Sequence, residues 1–248
     1  MPVNRHPLLG PTLASLAHRE RVEWHDHADH QLIHPSAGVL RVSTPIGSWV
    51  VPPHRAVWIP ATVPHAHQAH GPTEMRTLVF AETVNPLRLD RPTVLAVSPL
   101  LREVIVSLTG DEGLTAAQRG NLERVALDQL RRVEALPLWL PSAHDPRLRD
   151  IDAILTGDPA DQRTLAQLGA AVGASERTLS RLFRAETGMT FPQWRTQLRL
   201  HHSLTLLATG GAVTSVATAC GYSSSSAFIE AFRHAFGETP GRYGRPGG

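Results

Sequence analysis

Apolar residues recur at helical spacing over the last hundred positions of the chain. Val213, Val216, Ala217 and Cys220 stand at i, i+3, i+4 and i+7, one face of a short helix. Gly221 permits the left-handed backbone that turns the chain. The serine run 223–226 offers N-cap hydroxyls, and Phe228, Phe232, Ala235 and Phe236 resume the helical spacing until Gly237 and Pro240 end it. The pattern predicts helix, glycine turn, helix. It is repeated at 164–192: Thr164 and Gln167 form a capping-box pair before Leu165, Leu168 and Val172, and Gly173 supplies the turn. Ser175 caps a second helix whose inner face is Leu179, Leu182 and Phe183, closed by Gly188. Between the two modules, Trp194, Leu198 and Thr205 lie on one side of a helix and Leu200, Leu204 and Leu207 on another, as expected of a connector packed against both.

The first half follows a different pattern. From Val22 to Phe80, short apolar runs (GVLRV, SWVV, AVWIP, MRTLVF) are separated by Pro45-Ile46-Gly47, Pro52-Pro53 and Gly71-Pro72. Such spacing predicts a small antiparallel barrel or sandwich with proline and glycine turns. Residues 1–20 lack strong periodicity and read as an arm or edge strand. Helical spacing returns with Leu100, Leu101, Val104, Ile105 and Leu108, then with Leu122, Val125, Ala126, Leu130, Val133 and Leu136. Pro137, Pro141 and Pro146 punctuate a linker. The expected organisation is α+β: a β-barrel over 1–95, a helical segment over 96–136, a linker over 137–147 and an all-α domain over 148–245.

A chain of 248 residues accommodates two domains of ordinary size. All 24 basic residues are arginine, which fits a GC-rich genome as readily as a demand for phosphate-binding guanidinium groups. The sign asymmetry is more informative. From residue 146 onward there are 11 Arg against 8 Asp and Glu, net +3, while residues 1–145 carry 13 against 14, net −1. One cysteine, Cys220, excludes an internal disulfide and sits on an inner helix face as a small packed residue. No apolar run approaches ~20 residues and no charged-then-apolar leader opens the chain, so a cytoplasmic protein without a membrane partner is expected.

The segments LAQLGAAVGASERTLSRLFRAETGMTF and VATACGYSSSSAFIEAFRHAFGETPGRY resemble the paired helix-turn-helix of the AraC/XylS family of bacterial transcription regulators. The second is similar to the family signature in its glycine, aromatic and Phe-Gly-x-Thr-Pro spacings. The resemblance implies a sequence-specific regulator that binds double-stranded DNA, commonly as a homodimer, with RNA polymerase as a partner if it activates. The outward positions of the first recognition helix are Arg177, Thr178, Ser180, Arg181 and Arg184. Arginine bonds a guanine edge at two points, so Arg177 and Arg181 are the candidates for base readout and Arg184 for phosphate. Positions matching Arg177, Ser180 and Arg181 carry base contacts in family members of known structure. The second helix presents Ser224, Ser225, Ser226, Ala227 and Glu230. Relatives often carry arginine at the Glu230 position, so this module is expected to anchor through its helix N-terminus and hydroxyls and to add less specificity. In related regulators a helix after the barrel often forms the dimer contact. The 122–136 stripe is a candidate for that contact, and packing against the barrel accounts for it equally well.

Residues 1–80 hold ten of the fourteen histidines. A His-x-His on a strand places both imidazoles on one face, and a third ligand from another strand completes a tripod. His25-Asp26-His27 followed by Gln31, and then Pro60 to His65, resemble the two motifs of cupin barrels, the usual sensor domain of this family. Metal-binding cupins use His-x-His, a glutamate and a later histidine. Carried over, these positions are His25, His27, Gln31 and His65, around one divalent transition metal. Gln31 stands where the carboxylate would be, which weakens the hold on a hard cation. The alternative is a set of pocket or surface histidines that contact an organic effector. His30, His34, His67 and His70 are expected at the surface or rim, and Trp49 and Trp58 in the core or the wall of an effector pocket. The expected protein is therefore a regulator and no enzyme, responding to a small molecule or metal. A metal-dependent cupin enzyme carrying a DNA-binding tail is the alternative from another class, and the missing carboxylate weighs against it.

Overall fold

The computed structural model describes residues 4–5, 10–110, 112–130, 135–136, 139–237 and 239–243. The chain forms two compact units, one built on Met1–Pro45 and Trp49–Leu138, the other on Ile46–Ser48 and Trp139–Arg245.

The first unit is a sheet followed by helices. Its strands are β1 (Asn4–Arg5), β2 (Thr12–Leu16), β3 (Arg21–Asp26), β4 (His30–Thr44), β5 (Gly47–Val51), β6 (Arg55–Ile59), β7 (His65–Phe80), β8 (Thr93–Ala96) and β9 (Ala135–Leu136). They run in the order β1-β3-β7-β4-β6-β8-β9, with β2 also on β7 and β5 also on β4. The β1–β3 pair is parallel, whereas β4 and β7 pair antiparallel from His30↔Phe80 to Ser43↔Ala66. Gly71-Pro72 does not make the turn that its composition predicts. It lies inside β7, opposite the register shifts between Pro35, Ala37 and Val39 of β4. Gly38 and Gly71 have φ of +73° and +82°, and a Cβ on Gly38 would lie 2.3 Å from the Pro72 carbonyl oxygen. The physical reason is a change of neighbour. β7 pairs with β3 over its first half and with β2 over its second, so it must bend between them.

Helices α1 (Pro99–Gly110) and α2 (Ala116–Leu130) cover one face of this sheet. Leu32, Trp58, Leu78 and Phe80 pack with Leu101, Ile105, Ala126 and Leu130 in one core, joined by Leu122 and Val125. The apolar stripe of α2 is thus engaged within its own unit. The helix is described as far as Leu130. Val133 lies outside the described residues, and Leu136 pairs with Val94 in β9, where the free edge of β8 takes up its backbone. Pro137, within the predicted linker, also lies outside the described residues.

The second unit is helical: α3 (Pro146–Gly157), α4 (Leu165–Ala171), α5 (Glu176–Thr187), α6 (Phe191–Ala208), α7 (Val213–Ala219), α8 (Ser225–Phe236) and α9 (Pro240–Tyr243). Local chemistry sets the boundaries. Thr164 and Thr190 complete capping boxes with Gln167 and Gln193, Ser175 caps α5, and Gly188 and Gly237 end α5 and α8 in the left-handed conformation. Leu148, Ile151, Leu168, Leu179, Phe183, Trp194 and Leu198 form the core of the first module. In the second, Phe228 and Phe232 are fully buried, and Phe232 lies edge-on to Tyr243 at 5.4 Å. Among the described residues no helix is long and apolar enough to cross a membrane.

Candidate functional site

In α5, Leu179 and Phe183 point into the core, and that burial fixes what the other face presents. Arg177, Arg181 and Arg184 are exposed, Thr178 and Ser180 are half-buried, and the five side chains line one shallow concavity. Neither Arg177, Arg181 nor Arg184 forms an ion pair among the described residues. Arg147 and Arg163, by contrast, are held by Asp145 at 2.7 Å and Asp161 at 2.5 Å. The α5 guanidinium groups therefore keep their donors for an external acceptor. A neighbouring concavity is lined by Thr164, Glu176, Ser180, Arg184, Thr190 and Arg195. Arg195 stacks 4.3 Å from the centroid of Phe191 and donates to the Arg163 carbonyl. Apolar faces are what the α6 sequence pattern brings out, and Arg195 is not among the residues they single out. The available signal was the Arg195/Arg199 pair at i, i+4.

On α8 the serine run divides its roles. Ser224 is the N-cap, and its hydroxyl accepts the Ala227 N–H at 3.2 Å. Ser225 is half-buried in the first turn, while Ser226 and Glu230 are exposed. This surface carries hydroxyls and one carboxylate, with Arg233 and His234 in the last turn.

The first unit gathers a histidine cluster. His25 on β3 is the cross-strand partner of His65 on β7, His27 follows β3, and Gln31 is on β4. All four are buried, and ring nitrogens of His25, His27 and His65 lie within 4.8 Å of one another. The Nδ1 atoms face backbone carbonyls: His25 to Glu23 at 2.8 Å, His27 to Asp29 at 2.6 Å and His65 to Val63 at 2.8 Å. A carbonyl only accepts, so each Nδ1 carries a proton, and a ring with no second proton leaves a lone pair on Nε2. This is the outer-shell pattern that orients histidine ligands. Gln31 Oε1 stands 3.1 Å from Nε2 of His27 and 3.0 Å from Nε2 of His65. Oxygen facing two lone pairs is repulsive, and burial, which lowers the His65 pKa to about 3, disfavours a second proton there. Two arrangements that add no proton relieve this repulsion. Either the amide is turned so that its NH2 donates to both rings, or a cation sits at their focus. As ligands, three imidazoles and an amide oxygen suit a borderline divalent ion better than a hard one.

The structure corrects the expected placement of three further histidines. His30, His34 and His67 are buried rather than at the rim, and His70 is half-buried. An imidazole is cheap to bury once neutral and hydrogen-bonded. His30 accepts from the Ala61 N–H and donates to the Glu82 carbonyl, and His34 donates to the Arg55 carbonyl. Burial lowers the His34 and His54 pKa values to about 4 and that of His67 well below its ordinary value. His67 extends the cluster, with its ring 5.0 Å from His65 and 5.5 Å from His25. Trp58 is fully buried between His30 and Phe80, and Trp49 is nearly so. An effector reaching the Trp58 ring must open the packing of α1 and α2.

A family model described as a helix-turn-helix domain matches residues 168–245. The HTH-type transcriptional regulator NimR of Escherichia coli (strain K12) is 36% identical over 227 residues, covering 88% of this chain and 81% of NimR. An AraC-like transcription regulator of Streptomyces antibioticus is 32% identical over 114 residues, 46% of this chain and 38% of that protein. Among solved structures, ToxT from Vibrio cholerae aligns over 94% of this chain and 97% of its own, with 9% identity and a TM-score of 0.42.

Proposed function

The chain belongs to the AraC/XylS family of DNA-binding transcriptional regulators, and from that premise we propose that it is a cytoplasmic, ligand-responsive regulator reading a bipartite operator. In this proposal Arg177 and Arg181 read base edges with Thr178 and Ser180 beside them, and Arg184 binds phosphate. The second module anchors to the backbone through the first turn of α8 and the hydroxyls of Ser224, Ser225 and Ser226. Glu230 accepts from cytosine where it meets a base. The recognition helices enter successive major grooves roughly 34 Å apart, or the duplex bends to meet them. A homodimer doubles the site, and RNA polymerase becomes a partner where the operator position makes the protein an activator.

The single observation carrying this reading is the guanidinium surface of α5, without an ion pair among the described residues, opposite a helix face buried as Leu179 and Phe183. The N-terminal unit is the sensor in this proposal. It is a cupin-like fold holding one divalent metal on His25, His27, His65 and Gln31, with an effector acting there or through it. The convergent Nε2 lone pairs favour that assignment. Binding-site selection from random duplexes with the full chain tests the DNA half. An enriched motif of two boxes is expected, and the absence of any enrichment, with metal or without, overturns it. Elemental analysis of the purified protein beside His25→Ala and His65→Ala variants tests the sensor half. A metal stoichiometry unchanged by either substitution rejects the site.

A further inference from the structure

Arg199 lies midway along α6, and its guanidinium is spent on backbone. Nε donates to the Pro159 carbonyl and Nη2 to the Asp161 carbonyl, each at 3.0 Å. Both carbonyls belong to the loop that leads from α3 into α4, the first helix of the first module. The same loop reaches the second module, because Gln162 Nε2 donates to the carbonyl of Gly221 at 2.9 Å, in the turn between α7 and α8. Gly221 has φ of +73°, and a Cβ added there would lie 2.8 Å from Ala160 Cα and 2.9 Å from Arg199 Nη2. The glycine therefore serves the turn and also the close approach of the loop. Three segments distant in sequence meet around one guanidinium. The covalent route between the modules runs through α6 and then Gly210, at φ +88°, and Gly211.

We propose that Gln162, Arg199 and Gly221 form a brace between the two helix-turn-helix modules that sets the separation and phase of α5 and α8. These residues thereby select operator spacing without reading a base themselves. The proposal rests on the reading of α5 and α8 as paired recognition helices. A brace matters because one inserted base pair displaces the second box by roughly 3.4 Å and rotates it by about 35°. Rigid modules refuse that change, and loosely joined ones follow it. Arg199 and Gln162 are positioning residues in this scheme, acting through the recognition helices.

The test uses the full-length chain and the operator selected by the unsubstituted protein, with zero, one, two or three base pairs inserted between its boxes. Affinities are measured at one salt concentration, because phosphate contacts make them salt-dependent. The unsubstituted protein is expected to lose about tenfold or more on the first insertion, the scale of one charge-assisted hydrogen bond. Arg199→Ala and Gln162→Ala are each expected to reduce that loss to about threefold, and Arg199→Lys, which reaches one carbonyl, to fall between. Equal weakening at every spacing is what a purely structural role produces, and it overturns the proposal, as does an unchanged profile. Gln162 makes an exposed bond, so its variant keeps the question open to measurement if Arg199→Ala fails to fold. An unsubstituted protein that selects no two-box site points instead to a failure of the recognition-helix reading.

Discussion

Single side chains divide the labour of this protein by what their polar groups already hold. Arg181 holds nothing among the described residues, so its loss is read on DNA rather than in the fold. Arg181→Ala is expected to cost about 1–3 kcal/mol on the selected operator and to relax preference at one base pair. Equal weakening on specific and random duplexes contradicts direct readout. Gln31 is the reverse case, an amide wedged between two imidazole lone pairs. Gln31→Glu restores an anionic donor and is expected to raise the affinity for a divalent ion about tenfold or more, measured by direct titration. An affinity that stays flat removes Gln31 from the coordination sphere. His34 reports on pH. Its folded pKa of about 4 lies below the ordinary 6.5, so between those values the unfolded chain takes up a proton that the folded one refuses. Stability is full above pH 6.5 and falls as the pH drops towards 4, by up to about 1.4 kcal/mol per pH unit from this group. Urea unfolding of the metal-free protein across that window shows the slope, and His34→Gln is expected to remove about one proton from it. A slope unchanged by the substitution assigns the acid sensitivity elsewhere.

Elements differ in how much of their placement is local, and that decides what the sequence could disclose. Helices α4, α5, α6 and α8 have starts or ends set by their own residues, whereas α7 follows Ala212 without a side-chain cap. Thr164, Ser175 and Thr190 cap starts, and Gly188 and Gly237 mark ends, so both modules could be delimited in advance. Removing one such signal is expected to cost what a cap is worth: Thr190→Ala lowers stability by about 1 kcal/mol, seen as a shift in the urea midpoint without a change in slope. A shift under a few tenths would mean that Trp194 and Phe191, packed at 5.2 and 5.3 Å from Phe183, hold the helix start without the cap. The long strands β4 and β7 were less legible. Gly71-Pro72 carries the chemistry of a turn, and a bulge inside a strand uses the same chemistry; only the neighbours β2 and β3 distinguish them. The histidine cluster could be anticipated because His-x-His marks a face of a strand. The burial of His30 and His34 could not, since their partners Glu82 and Arg55 lie 52 and 21 residues away. The brace was hidden for the same reason, with Arg199 reaching back 40 and 38 residues.

At the scale of the whole molecule, the proposed sensing and DNA binding obey one thermodynamic condition, whatever path the coupling takes through the chain. A ligand on the histidine cluster alters operator affinity only if it binds the DNA-competent state of the protein better or worse than the other states. The factor is then reciprocal: operator DNA must change the affinity for that ligand by the same ratio. For a regulator with coupling of about 1–3 kcal/mol, that ratio is roughly 5- to 150-fold. The measurement needs two titrations with a borderline divalent ion such as zinc, one into free protein and one into the operator complex. A third titration, of operator into protein with and without the ion, closes the cycle. Agreement of the two ratios, abolished together by His65→Ala, is the expected outcome. A metal that binds with the same affinity in the presence and absence of operator is a structural ion. In that case the effector acts at another site of the N-terminal unit, and the cluster serves to hold β3, β4 and β7 together.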